Sequence, residues 1–248
     1  NSREIDCEKF GLTGKMKSVL LDLSKRLSSS YLQHFVVTES NDQSKLRATF
    51  DHDFKSLAAL QDYCFSNALE FDEDSLIFIL QAVSLAGAAL EDNLCYHPEI
   101  SQAGVKVHLR ESFQFPGKPL YSVRISNPLA NDSFLKELMV KLTNIAASLA
   151  PRLLKIEELW DSEKREAFLS KQNEPELEPL RSAHEEAVKK SKIGFFRLCF
   201  LIAALASRTK LSSMEKLGTV GAYSDRAKEM LVNVNCSAGL KALLENVL

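Results

Sequence analysis

Between Ile193 and Ala206 the chain reads Ile-Gly-Phe-Phe-Arg-Leu-Cys-Phe-Leu-Ile-Ala-Ala-Leu-Ala, and Arg197 is its only polar side chain. A surface helix keeps a broad polar face, so a helix apolar on nearly every side must be wrapped by other elements. The stretch is therefore expected to be the central post of a helical core, within a helix of about 180–207. At the helical rise its length is about 21 Å, short of the roughly 30 Å of bilayer hydrocarbon. Lys189, Lys190 and Lys192 precede it. A buried core helix without membrane insertion is the expectation, with Phe195, Phe200 and Leu205 out of the solvent.

Arg197 constrains the post. A buried guanidinium without a partner is very costly, so it must pair with a carboxylate, bind an anion or reach the surface. Seven residues make almost two turns, which places Lys190, Arg197 and Arg208 near one line. A narrow polar stripe leading outward is the first reading, ahead of a buried salt bridge or an anion site built from Lys190, Arg197 and Arg208.

The rest of the chain reads as helices around one or two antiparallel hairpins. Met16, Leu20, Leu23 and Leu27 mark an amphipathic helix after Thr13. Phe35-Val36-Val37-Thr38 and Leu46–Phe50, separated by Asn41-Asp42-Gln43-Ser44, read as the first hairpin, over about 35–50. Asp53 can cap a helix from Phe54 to about Leu69, and Asp72 or Asp74 a second from Leu76 to Leu94. In that second helix only Gln81 and Ser84 interrupt the apolar run to Leu90, so it too is expected to be deeply buried.

Alternation from Gly104 to Ser126, broken only at Glu111, with turn chemistry at Pro116-Gly117-Lys118-Pro119, predicts another hairpin. Leu135, Leu138, Leu142, Ile145 and Leu149 then form one long helical stripe. Pro151 kinks or restarts the helix, and the next segment carries the single tryptophan, Trp160. Gln172 to Pro179 is an acidic connection, dividing a mixed lobe, 1–171, from a helical lobe, 180–248, packed on it; one single domain is the alternative. Beyond it, Glu185 with Lys189 and Glu186 with Lys190 have the spacing of exposed ion pairs. Ser212-Ser213-Met214-Glu215 has the form of a capping box, Gly218 and Gly221 interrupt the segment after it, and short helices at about 225–234 and 238–247 close the chain.

Composition narrows the class. At 248 residues, 45% hydrophobic and 26% charged, the chain suits an ordinary globular protein. Its net charge of -2 argues against a surface that is wholly a polyanion receptor. Charge is uneven, however: Arg181 to Leu248 holds 11 Lys and Arg against 6 Asp and Glu, leaving 20 against 27 before it. The five cysteines are odd in number and contain no close pair, which suits a reducing, intracellular, cytoplasmic setting. The first residue is not Met and no hydrophobic leader comes after it, so a trimmed segment is expected. Asn131-Asp-Ser and Asn235-Cys-Ser match the glycosylation pattern, a frequent chance match that the cysteine usage opposes.

Chemistry is sparse. There is no Gly-x-Ser-x-Gly elbow and no phosphate-loop spacing. The histidines are scattered; Asp51-His52-Asp53 is best explained as a strand end and helix cap, since neighbouring strand residues point to opposite faces. Cys95-Tyr96-His97 reads as a loop after a helix, and Glu157-Glu158 and Glu185-Glu186 as solvated pairs. No cofactor, metal or small-molecule substrate is expected. The one charged surface that stands out is the polar face of the second hairpin, where Lys106, His108, Arg110 and Arg124 share a side with Lys118 at the turn. Such a face can track a phosphate backbone or an acidic protein surface.

A predominantly helical α+β fold with a non-enzymatic role in protein–protein interaction or assembly, as an adaptor, scaffold, structural subunit or oligomer, is the leading expectation. A nucleic-acid-binding protein of nucleoprotein type is second, its ligand single-stranded RNA on the basic hairpin face and the basic C-terminal part. An enzyme whose site is assembled from distant positions is third.

Overall fold

Helical periodicity and strand alternation translate into helices and strands over most of the chain. The computed structural model describes residues 2–28, 31–50, 55–66, 72–98, 100–101, 104–110, 120–150, 156–171, 174–211, 220–234 and 236–248, with the backbone alone at 107–110, 120–122, 157, 162, 171 and 220–222. The protein is predominantly helical α+β, with two small antiparallel sheets of three strands each. In order, the strands and helices are β1 (Ser2–Asp6), α1 (Gly14–Arg26), β2 (Phe35–Glu39), β3 (Lys45–Phe50), β4 (Lys55–Ser56), α2 (Leu57–Ser66), α3 (Glu73–Asp92), β5 (Val105–Arg110), β6 (Leu120–Ile125), α4 (Asp132–Leu149), α5 (Ser162–Lys171), α6 (Glu178–Ala206), α7 (Val220–Val232) and α8 (Ala238–Val247). Short 3-10 turns at Pro128–Ala130, Ile156–Leu159 and Pro175–Leu177 lead towards α4, α5 and α6.

Backbone contacts gather the chain into two compact units, each drawn from three stretches. The first comprises Asn1–His52, Ala86–Pro98 and Ser126–Ser191; the second comprises Asp53–Leu85, Glu99–Ile125 and Lys192–Leu248. Gln172 to Pro179 lies inside the first.

In the first unit β3 is central, paired with β1 from Ser2↔Thr49 to Asp6↔Lys45 and with β2 from Phe35↔Phe50 to Glu39↔Leu46. Ile5, Phe35, Val37, Leu46 and Ala48 are buried, as are Met16, Val19, Leu20 and Leu23 of α1, which packs on β2. A sheet edge leaves backbone groups to be satisfied. Here the buried hydroxyl of Ser24 accepts from the Val37 amide at 3.1 Å and donates to the Leu21 carbonyl at 3.0 Å, tying α1 to the β2 edge. β1 was not expected, because only Ile5 of its five residues is buried and no alternation marks it. The α4 stripe is as expected, with Asn131 accepting from the Phe134 amide as N-cap.

In the second unit β5 lies between β4 and β6. Lys55 and Ser56 pair with Val107 and Lys106, so strand pairing takes residues that helical periodicity had assigned to α2. Leu57, Leu60 and Cys64 of α2 are buried; Ala68 lies outside the described residues, as do 51–54. Gln61 of α2, 1% exposed, donates to the Thr209 carbonyl at 2.8 Å and accepts from the Leu211 amide at 2.7 Å. It holds the segment that leaves α6. The α7 helix begins at Val220, so Gly221 lies within it and does not interrupt it; a glycine in a helix costs only about 1 kcal/mol. The expected capping box at Ser212-Ser213-Met214-Glu215 and Gly218 lie outside the described residues, as does Pro151.

The two most apolar helices are less enclosed than their composition predicts. In α6 every residue from Leu198 to Ala206 is buried, with Phe200 edge-on to Tyr223 at 5.0 Å, but Ile193 is exposed and Phe195 is 36% exposed. The enclosed post is therefore the last third of a long helix whose first part is amphipathic. Phe200 and Leu205 are buried as expected; Phe195 is not. α3 departs further. It buries Leu76, Ile79, Ala82, Val83, Ala86 and Leu90, while Phe78, Gln81, Leu85 and Ala88 are exposed. By length and composition α3 could cross a membrane, and 33% of that apolar stretch is buried in the fold.

Candidate functional site

The basic hairpin face is partly assembled by strand register. Lys106 lies directly opposite Arg124, His108 opposite Ser122 and Arg110 opposite Leu120. Period-two alternation assigns positions 106, 108 and 110 to one face together with 124. Lys106 and Arg124 are half-buried, less open than a wet sheet face. Their register places two cations side by side on one face of the sheet. Lys118 and the expected strand continuation to Phe115 lie outside the described residues.

The proposed line of Lys190, Arg197 and Arg208 resolves differently. Arg197 is half-buried, so the guanidinium is not sealed in the core. Arg208 is exposed with φ at 59°, and the Thr209 amide returns to the Ala204 carbonyl at 2.8 Å, so Arg208 occupies the left-handed position that ends α6. Lys190 places its ammonium 5.7 Å from the centre of the Tyr96 ring. Lys190 and Arg197 are about 10 Å apart along the helix, by the rise for seven residues.

Lys190 belongs to a cluster that sequence spacing did not indicate. Tyr96 comes just after α3 and is packed edge-on to Phe134 at 5.2 Å. Its hydroxyl is 3.3 Å from Glu186 and 3.5 Å from Glu137, and its single proton can be given to only one carboxylate at a time. Lys141 bonds Glu186 at 2.6 Å and Glu137 at 2.8 Å, and sits 5.5 Å from the ring centre. Glu186, expected to pair with Lys190, turns to Lys141 and Tyr96 instead. Leu94, Leu138, Leu142 and Ile145 floor the small cleft that these groups rim.

The electrostatics of the cluster bear on its chemistry. Burial pushes the Tyr96 hydroxyl up, with Glu186 and Glu137 adding to it against Lys141. Partial burial works to lower Lys141, but its hydrogen bonds to Glu137 and Glu186 outweigh this and hold the ammonium above the ordinary lysine value. The bond to Lys141 holds Glu137 below its ordinary value. All three shifts move away from neutrality, where a general acid or base would need to titrate. The arrangement is a clasp of compensated charges that binds the segment after α3 to α4 and the start of α6.

Two other polar features lie in the first unit. His97 Nε2 is 2.8 Å from Ser126 Oγ, close enough for an imidazole to activate a hydroxyl. Neither residue lines the Tyr96 cleft. Arg165, 1% exposed, donates from Nη1 to the Asp92 carbonyl at 2.7 Å and the Leu159 carbonyl at 3.0 Å. It thereby caps the C-terminal ends of α3 and the Ile156–Leu159 turn, where a cation also suits the helix dipole. Its burial lowers the guanidinium pKa, against the raising influence of Asp92, Glu166, Glu91 and Asp161.

Among the described residues no three His, Cys, Asp or Glu side chains converge as metal ligands. Cys95 is fully enclosed and its thiol is pushed up to about 12 by burial; Cys199 is pushed up to about 11 for the same reason. Neither has thiolate character near neutral pH. No protein-family model, curated protein or solved structure matches the chain significantly.

A further surface feature, among the described residues, is apolar. Phe78 and Leu85, 40% and 50% exposed, lie on the same face of α3 as Asp74 and Gln81. A usable sequence clue existed: Gln81 stands seven residues, almost two turns, from Asp74, and that spacing marks an outward line flanked by Phe78 and Leu85.

Proposed function

We propose that this chain is a non-enzymatic protein–protein interaction or assembly module, acting as an adaptor, scaffold or structural subunit in an intracellular setting. The observation that carries the reading is the outward face of α3, where Phe78 and Leu85 remain exposed on one side of a helix whose other side is core. Scattered single apolar residues on a surface are ordinary; two large ones on one helical face beside Gln81 form a surface that a partner can cover. The Tyr96 cluster supports the same reading, because its charges are spent on one another. The five free thiols, four of them buried, suit a reducing compartment.

The test compares the wild type with Phe78→Asp/Leu85→Asp, by sedimentation and by affinity recovery of partners from the native source. The wild type should self-associate or retain a partner that the double variant loses, with both chains melting alike. A wild type that stays monomeric at high micromolar concentration and retains nothing the variant loses would sink the reading.

A second reading, binding of single-stranded RNA in the manner of a nucleoprotein, is favoured by one observation, the direct opposition of Lys106 and Arg124 across β5 and β6. It requires RNA affinity that falls steeply with salt. Lys106→Glu/Arg124→Glu should then abolish binding at low ionic strength, whereas no wild-type binding under those conditions would remove this reading.

A further inference from the structure

Two patches in the second unit carry apolar side chains beside charges of opposite sign. On α3, Phe78 and Leu85 are exposed on the face that carries Asp74. The whole of α3 contains Glu73, Asp74, Glu91 and Asp92 and no Lys or Arg. On α6, Ile193 and Phe195 are exposed next to the exposed Lys192. The segment around them contains Lys189, Lys190, Lys192 and Arg197 and, from Lys189 to Arg197, no acid.

We infer that these patches dock on each other between copies of this chain, the α3 face of one copy against the Lys192–Phe195 patch of the next. The inference rests on the assembly reading above and names the partner as a second copy. Each patch offers large apolar side chains for burial, and the flanking charges set which surfaces can meet. Pairing α3 with α3 would bring carboxylates against carboxylates in either orientation, and pairing the α6 patches would oppose lysines. Only the mixed contact joins opposite charges. An anionic lipid surface is disfavoured for α3 by the same carboxylates.

A contact between two different surfaces closes as a two-fold dimer if both patches engage the same neighbour reciprocally; otherwise it is heterologous and grows into a ring or a filament. In the heterologous case every dimer keeps one unused patch of each kind. Because its charges lie at the rim, added salt should weaken the contact without abolishing the apolar part.

The experiment uses the full chain in sedimentation velocity over a concentration series. The wild type should self-associate as concentration rises, stopping at a dimer if the contact is reciprocal and growing past it if not. Leu85→Glu, which blocks the α3 face, and Ile193→Glu, which blocks the α6 patch, should each remain monomeric while melting like the wild type. Mixed in equal amounts they should form a dimer that grows no further, because one variant brings an intact α6 patch and the other an intact α3 face. Lys192→Glu should raise the concentration of half-assembly about tenfold, and mixing it with Asp74→Lys should recover part of that loss.

A wild type that remains monomeric at high micromolar concentration overturns the second-copy inference. So does loss of assembly in Leu85→Glu alone, which would mean α3 pairing with itself, or a mixture of the two blocked variants that stays monomeric. Flotation with phosphatidylcholine–phosphatidylserine vesicles that Leu85→Glu abolishes, without self-association, would replace the second copy with a membrane. A monomeric wild type that still retains a source partner lost by Leu85→Glu defeats this inference and leaves the docking reading standing; loss of both defeats both.

Discussion

Replacing Arg165 by methionine removes a cation from the interior while keeping most of its volume, and the structure fixes which way stability should move. Two backbone carbonyls, of Asp92 and Leu159, lose their donor at once. The Leu159 carbonyl is buried, and a bond to it from a charged donor contributes about 1.5–3 kcal/mol net of desolvation, whereas Asp92 is exposed and its carbonyl can turn to water. That net figure already includes the cost of desolvating the guanidinium, a burden visible in the lowered Arg165 pKa. The expectation for the methionine variant is a loss of about 1.5–3 kcal/mol. Arg165→Lys keeps the charge but offers a point donor in place of a planar fork, and should lose about 1–2 kcal/mol.

Trp160, the only tryptophan, is buried and adjacent to Leu159, so its fluorescence reports on the region that Arg165 holds. Urea titrations at pH 7 should show midpoints in the order wild type, Lys variant, Met variant, at unchanged slope. A methionine variant as stable as the wild type would refute the reasoning. The guanidinium would then be a tolerated burden and not the cap that holds two chain ends.

Three further outcomes rest on named contacts. Ser24→Ala leaves the Val37 amide without its acceptor and should cost about 1–3 kcal/mol by urea midpoint, whereas an exposed serine would cost nothing measurable. Gln61→Leu removes the partners of both the Thr209 carbonyl and the Leu211 amide; a loss of about 2–4 kcal/mol is expected, with hydrogen exchange at the Leu211 amide rising before global unfolding. Glu137 has a folded pKa below its ordinary 4.5, so its contribution is present above that value and is lost as pH falls through the lowered one. Stability should therefore decline between about pH 5 and 3 in the wild type and less so in Glu137→Gln, by under about 1 kcal/mol because the side chain is half exposed; identical acid profiles would show that the ion pair carries no stability.

Local periodicity made many elements legible. The α4 stripe, the β2–β3 hairpin and α8 are local in origin, since each needs only the spacing of apolar side chains and a nearby cap or turn. The candidate basic face was legible to the extent that alternation predicts a shared side for Lys106 and Arg124. Other features depended on distant chain. Lys55 and Ser56 are strand because β5 pairs with them, and Ile5 lies in a strand because β3 does. Glu186 pairs with Lys141, 45 residues earlier, in place of its helical neighbour Lys190.

From sequence alone came the predominantly helical α+β class, the two hairpins and the apolar segment whose last third is the enclosed part of α6. Each depends on a repeat of 2.0 or 3.6 residues that any folded context must bury on one side. Tertiary structure decided which apolar faces stay exposed, since a helix can be apolar on nearly every side while its neighbours cover only some of them. It also decided that a lone arginine, Arg165, with no motif around it, would close two helical ends. Both outcomes are set by where other backbone segments come to rest, and the sequence near those residues carries no record of that.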